Sequence, residues 1–259
     1  MNIARLIAPD FPLGKALIST KSLFEIAMLF AARPERESLR LASWILRLKP
    51  FYTMATNKNL VGLSRLVQRL DAMGLPGDIV ECGVWNGGAS AMMAATHLHG
   101  RGTASRTFWL YDSFEGLPPP SDKDGAATQA AFFEGWCVGD TGKARRALAM
   151  AGLPEERQRI VKGWFQDTLP HAPVEQIALL HVDADWYDSV MLALRTFYDR
   201  VTPGGVIVLN DYGYWQGCDR ATHDFLAERG LSHIPIRQVD PQGGAFFQKP
   251  VERPAQARV

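Results

Sequence analysis

The chain is poor in cysteine: Cys82, Cys137 and Cys218 lie far apart and form no CxxC pair. That excludes a secreted disulfide framework and a cysteine-built zinc site, and it points to a reducing cytoplasm. It also lacks an excess of either charge. Its 28 Lys and Arg nearly balance 27 Asp and Glu, for a formal charge of +1, and no block of like charges forms a tail. A dedicated nucleic-acid surface is therefore not expected. The apolar stretch over residues 23–32 is interrupted by Glu25 and is too short to span a bilayer. The start of the chain carries Pro9, Asp10 and Pro12 where a signal peptide needs a continuous apolar segment.

What is present suits a globular enzyme-sized chain. Its 259 residues, 47% hydrophobic and 21% charged, can bury a substantial core in one large domain with terminal additions. The first fifty residues read as a helical extension, with clustered apolar positions over 22–32 and 35–48 punctuated by Pro34 and Pro50. Such an extension offers a surface for a homo-oligomer. Leu60, Leu63 and Leu70 mark a further amphipathic helix that ends near Gly74.

From residue 78 the pattern changes. Short apolar runs at 78–82, 107–111, 159–162, 177–182 and 206–209 alternate with helical stretches at 89–98, 143–150, 189–198 and 218–228. This alternation predicts an α/β domain over residues 51–250, with a mostly parallel, doubly wound sheet covered on both faces. Two late strand candidates, 232–239 and 244–248, flank a turn-like Asp240-Pro241-Gln242-Gly243 and predict an antiparallel edge. Residues 251–259 read as a flexible tail. The segment 118–125 has the proline, glycine and charge content of a surface loop and is a candidate mobile cover over a site.

Two groups of residues carry chemistry. The first strand runs into Gly83-Val84-Trp85-Asn86-Gly87-Gly88, whose glycines permit a sharp turn and a close backbone approach to a ligand. The spacing is not the GxGxxG of dinucleotide enzymes. Glu81 at this strand end would repel a pyrophosphate but suits the ammonium of a methionine-derived cofactor. The competing reading is a buried salt bridge. Asp112, beside Ser113 at the next strand end, is placed to accept from ribose hydroxyls, or else to cap its own turn. Trp164 and Phe165 are candidates to cover an adenine, or ordinary core aromatics.

The second group is acidic. Asp183 and Asp185 follow one apolar strand, and Asn210-Asp211 follows another. If those strands are neighbours, the oxygen donors converge and suit Mg²⁺; zinc or copper would more often recruit histidine or cysteine. Such an ion lowers the pKa of a bound hydroxyl while a nearby carboxylate takes its proton. Without a cation the acids repel each other, and helix capping is the alternative use.

These segments together resemble the macrocin O-methyltransferase (TylF-type) family. The matching words are residues 77–88 (Gly77-Asp78-Ile79-Val80-Glu81-Cys82-Gly83 and onward), 112–118 (Asp112-Ser113-Phe114-Glu115-Gly116-Leu117-Pro118) and 163–170. They continue through 183–189 (Asp183-Ala184-Asp185-Trp186-Tyr187-Asp188-Ser189) and 203–213, with Asn210-Asp211-Tyr212-Gly213 at its end. In order they cover about 52–248. The resemblance implies a Rossmann-like fold and Mg²⁺-dependent methylation of a small-molecule hydroxyl by S-adenosylmethionine, often on a natural-product sugar. It assigns Glu81, Gly83, Asp112 and the pair Thr53-Met54 to the donor site. Asp183, Asn210 and Asp211 become metal ligands, and Asp185 the general base.

Three departures stand out. Asn210 replaces the first of two usual adjacent aspartates, which removes one negative charge and weakens an Mg²⁺ site. Ala184 replaces a glycine, and Asn86 replaces an arginine in the glycine loop. Residues 1–50 and 118–140 match least, so the acceptor is not defined by the resemblance. Asn210 also leaves a non-catalytic cofactor-binding or assembly protein as the alternative; a nicotinamide oxidoreductase is disfavoured by Glu81 and the loop spacing.

Overall fold

The computed structural model describes residues 36–100, 105–239 and 244–251. The expected helix at 22–32, the tail at 252–259 and the turn at 240–243 lie outside them. Five strands form the parallel part of one sheet: β1 (Asp78–Cys82), β2 (Phe108–Asp112), β3 (Gln158–Lys162), β4 (Ile177–Val182) and β5 (Val201–Leu209). Two late strands, β6 (Arg237–Gln238) and β7 (Ala245–Gln248), complete it in the order β3-β2-β1-β4-β5-β7-β6. Both pair antiparallel, β7 with β5 and β6 with β7, so the antiparallel edge is present. β6 keeps only two residues of its expected eight.

The helices are α1 (Arg36–Leu48), α2 (Asn57–Ala72), α3 (Gly88–His99), α4 (Ala126–Ala131), α5 (Thr141–Met150), α6 (Phe165–Thr168), α7 (Tyr187–Phe197) and α8 (Gln216–Glu228). They cover both faces of the sheet, as alternation of side chains along β1 requires. Ile79 joins a core with α1, α2, α3 and α5, while Val80 and Cys82 join one with α7 and α8. α1, the described part of the helical extension, contributes Leu41, Trp44, Ile45 and Leu48 to the first core. Its fully buried Ile45 and Leu48 are each worth ~2 kcal/mol in transfer free energy. All six residues of β4 are buried, which is why it reads as a continuous apolar run. No helix among the described residues is long and apolar enough to cross a membrane.

The sheet order fixes where a ligand can sit. From β1 the chain winds outward to β2 and β3, then returns to β4 on the other side of β1 and winds the opposite way. Helices therefore diverge above the carboxyl ends of β1 and β4, leaving the crevice that open α/β sheets use for binding. At the other end a buried network clamps the structure. Arg106 Nε donates to Asp71 Oδ1 at 2.8 Å, and Arg106 also donates to the carbonyls of Leu75 and Gly77. His97 Nδ1 lies 2.9 Å from Asp71 Oδ2. Although burial raises the Asp71 pKa, His97 and Arg106 more than offset it and hold the carboxyl low.

Candidate functional site

A cavity of about 570 Å³ opens at that crevice, and each residue expected to hold the donor, a metal or the proton lines it. Thr53 and Met54 come from the segment before α2, Glu81 and Gly83 from the end of β1, Asp112 and Ser113 from the end of β2, and Trp164 from the end of β3. Asp183 and Asp185 follow β4, and Asn210 and Asp211 follow β5.

The glycine loop is held by its own sequence chemistry. Gly83 has φ of 89°, and a Cβ there would lie 1.7 Å from the Asp183 carbonyl oxygen. Only glycine lets the two strand ends approach so closely. Asp112 Oδ2 accepts from the backbone N–H groups of Val84 and Trp85 at 2.6 and 2.8 Å, and Oδ1 accepts from Phe114 N. The turn-capping alternative for Asp112 is thus present. A carboxylate has about four acceptor sites, so one remains for a ligand hydroxyl. Burial raises its pKa against those three N–H groups. Asn86 donates to Phe51 O at 2.9 Å and accepts from Asp140 N at 3.0 Å, so the residue in the arginine's place ties the loop to both flanking segments.

Glu81 is 1% exposed, and both its oxygens are engaged, one by Ser90 Oγ and the other by His181 Nδ1 at 3.0 Å. The cause is register: Glu81 and His181 sit opposite each other on β1 and β4. The buried pair is therefore real, and Glu81 borders the cavity with part of its acceptor capacity used.

Across the crevice the acids converge, because β4 and β5 are neighbours. Asp185 N donates to Asp211 Oδ2 at 3.1 Å, and Asn210 Nδ2 donates to Asp183 Oδ1 at 2.8 Å. Burial, then repulsion from Asp211, Asp185 and Glu81, pushes the Asp183 carboxyl well above its usual range. Asp185 is raised by burial and by Asp211, with the Trp215 indole opposing. Burial lifts Asp211 to about 6, against N–H groups and the nearby His181. Among the described residues lining the cavity, five are carboxylates and none is Lys, Arg or His. Such a cavity attracts cations and repels phosphates.

In kind, Asp183 and Asp211 are the oxygen donors a hard divalent ion takes. Among the described residues no three His, Cys, Asp or Glu side chains form a metal-holding group by themselves. A third protein ligand would be Asn210, whose amide currently turns its N–H toward Asp183. With that amide turned, Asp183, Asn210 and Asp211 would each present an oxygen, the donor type a hard cation takes.

Among the described residues four non-glycines adopt left-handed φ: Trp85 (49°), Phe114 (54°), Cys137 (63°) and Asp185 (54°). Three of them line the cavity; each costs ~1–3 kcal/mol, the kind of strain that collects at working sites. Of the segment 118–125 only Pro118 lines the cavity, and the expected mobile cover is instead tied down. Buried Asp124 accepts from Ser121 N at 2.8 Å and from Tyr187 N at 2.7 Å, while Trp186 Nε1 donates to Pro118 O at 2.8 Å.

Sequence reasoning missed an aromatic wall. Trp215 meets Trp186, Trp136 and Tyr214 edge-on at 5.2, 6.0 and 4.9 Å between centroids, and Phe133 stacks on Trp136 at 5.2 Å. Five separate sequence positions build it, so only the tryptophan count of 7 hinted at it. Asn59, which reaches Asn210 from α2, was also missed.

An acidic cavity at the β1/β4 switch is where this fold class binds its ligands, and the relatives of the chain make it an S-adenosylmethionine-dependent O-methyltransferase. The chain belongs to the Macrocin-O-methyltransferase (TylF) family, whose model matches residues 40–249. It is 36% identical over 195 residues, 74% of each chain, to the 8-demethyl-8-(2,3-dimethoxy-alpha-L-rhamnosyl)-tetracenomycin-C 4'-O-methyltransferase of Streptomyces olivaceus. The mycinamicin III 3''-O-methyltransferase of Micromonospora griseorubida is 33% identical over 74% of this chain and 76% of that enzyme. The solved structure of the O-methyltransferase NovP superposes with a TM-score of 0.70 at 30% identity, covering 77% of this chain and 83% of that one. The enzymatic reading therefore replaces the non-catalytic alternative.

Proposed function

We propose that this enzyme methylates a sugar hydroxyl of a natural-product glycoside, with Asp185 as general base and a divalent cation assisting at Asp183, Asn210 and Asp211. The observation that carries the reading is the charge of the cavity: five carboxylates beside an aromatic wall, with no basic side chain among the described lining residues. A positively charged methyl donor and a neutral acceptor both suit that lining. Curated relatives that methylate sugar-bearing natural products support the acceptor class.

Glu81, Gly83, Asp112, Ser113 and Trp164, with Thr53 and Met54, would hold the donor. When bound, that donor would supply the methyl group to the acceptor oxygen, its sulfur keeping the electron pair of the broken bond. A bound cation would supply charge stabilisation to the hydroxyl as it loses its proton. The Asp185 carboxylate takes that proton. Burial and Asp211 make it a stronger base than a surface aspartate, which suits proton abstraction near neutrality. Trp215, in the cavity wall, would shield one side of a bound acceptor from water. Asp185→Asn tests the assignment: turnover should drop by about 10²–10⁴-fold while S-adenosylhomocysteine binding holds. Equal losses in both would remove Asp185 from the base role.

A further inference from the structure

Asn59 lies in the first turn of α2, where Thr56 caps its backbone N–H, and its side chain is 5% exposed at the cavity edge. Its Nδ2 donates to Asn210 Oδ1 at 2.9 Å, and Asn210 Nδ2 donates onward to Asp183 Oδ1 at 2.8 Å. The three side chains form a relay with a direction, because a primary amide donates at one end and accepts at the other.

That direction is set by two facts. Turning Asn210 alone would press its oxygen against an Asp183 oxygen and its N–H groups against those of Asn59. Turning Asn59 as well does not relieve the second conflict without cost. Asn59 Oδ1 already lacks a hydrogen-bond partner among the described residues, so a turn would exchange a buried orphan carbonyl for a buried orphan NH₂. Orphan donors are the less tolerated of the two. The same turn of Asn210 is what a cation between Asp183 and Asp211 needs in order to meet the Asn210 carbonyl.

We infer that Asn59 is a positioning residue that latches Asn210 as an N–H donor to Asp183, and so sets a weakened affinity of this site for divalent cations. An amide proton here does part of the charge balancing that a bound ion would otherwise perform. The inference rests on the reading of Asp183, Asn210 and Asp211 as a cation site. It makes Asn59 the reason that the asparagine at 210 is more than the loss of one charge.

Mn²⁺ titrations followed by electron paramagnetic resonance test it, on the full chain saturated with S-adenosylhomocysteine. Four proteins are compared: wild type, Asn59→Ser, Asn210→Asp and the double variant. A hydroxyl at 59 can donate to the Asn210 carbonyl or accept from its NH₂, so it meets Asn210 in either orientation and removes the latch. Removing the latch should tighten Mn²⁺ binding of the wild type about fivefold, the low end of what an unsatisfied buried donor costs. In the Asn210→Asp background, where a carboxylate accepts from Asn59 in either state, the same change should bring no gain. A purely structural Asn59 gives a different pattern: Asn59→Ser then weakens Mn²⁺ binding, or shifts it equally in both backgrounds. Either result overturns the latch and leaves the cation reading intact. If Asn210→Asp fails to bind Mn²⁺ at all, the cation reading falls and the latch falls with it. Thermal unfolding and S-adenosylhomocysteine binding report whether each variant folds. Should Asn59→Ser not fold, Asn59→Ala leaves room for a water that can donate to or accept from Asn210, and should shift affinity in the same direction.

Discussion

Replacing Asp211 by asparagine should make the ligand-free protein more stable while making it a poorer enzyme. Asp211 is 7% exposed, and its carboxyl is pushed up to about 6 by burial, from an ordinary value of 3.8. A folded pKa above the unfolded one means that ionisation favours unfolding. The penalty is nearly absent below about pH 4, grows between the two values and is complete above about pH 6, where two units correspond to ~3 kcal/mol. Asparagine removes that penalty, and it also lessens the repulsion on Asp183 and Asp185. It keeps an oxygen for the Asp185 N–H, at a loss of ~1 kcal/mol for the weaker acceptor. The net gain of ~2 kcal/mol at about pH 8 corresponds to a melting temperature higher by ~5 °C for a chain of this size. At about pH 5 the gain should shrink to less than half. Differential scanning calorimetry at the two pH values, without metal or donor, reads this directly. A variant that melts lower at pH 8, or gains equally at both pH values, would refute the claim that repulsion among these acids is what the folded state bears.

Two other substitutions probe the site from different sides. Gly83→Ala places a Cβ 1.7 Å from the Asp183 carbonyl at a left-handed φ, so calorimetric S-adenosylhomocysteine binding should fall at least tenfold with a lower melting temperature; unchanged binding contradicts the packing described. Trp215→Phe keeps the ring and removes the N–H that opposes the rise of Asp185. The acidic limb of the pH–rate profile should then move to higher pH, and movement to lower pH would show that the indole does not act on the base.

The legible parts of this molecule were those governed by local pattern. β4 matches its expected bounds because it is a buried, largely apolar run, and β1 because Ile79, Val80 and Cys82 stand between Gly77 and Gly83. β5 starts five residues early: Thr202, Pro203, Gly204 and Gly205 carry turn chemistry, yet Val201 pairs with Ile177 through an irregularity in the register. The short helices α4 and α6, of 6 and 4 residues, have too little length for a helical period to show. Site membership was legible because strand ends converge by topology, so Asp183, Asp185, Asn210 and Asp211 could be grouped before their contacts were known. What those acids touch was not. His181 meets Glu81 only through the β1–β4 register, and Asn59 meets Asn210 across 151 residues of sequence. The loop at 118–125 read as surface chain, but its anchoring by Asp124 depends on the first turn of α7, far along the sequence.

The central claim is that this acidic crevice takes a cationic methyl donor and rejects a phosphate-bearing dinucleotide. Calorimetric titration of the protein with S-adenosylmethionine and with NAD⁺, each with and without Mg²⁺, tests it most directly. The account predicts saturable one-site binding of S-adenosylmethionine under both conditions and no measurable heat of binding from NAD⁺. Saturable NAD⁺ binding that S-adenosylmethionine cannot displace would contradict it.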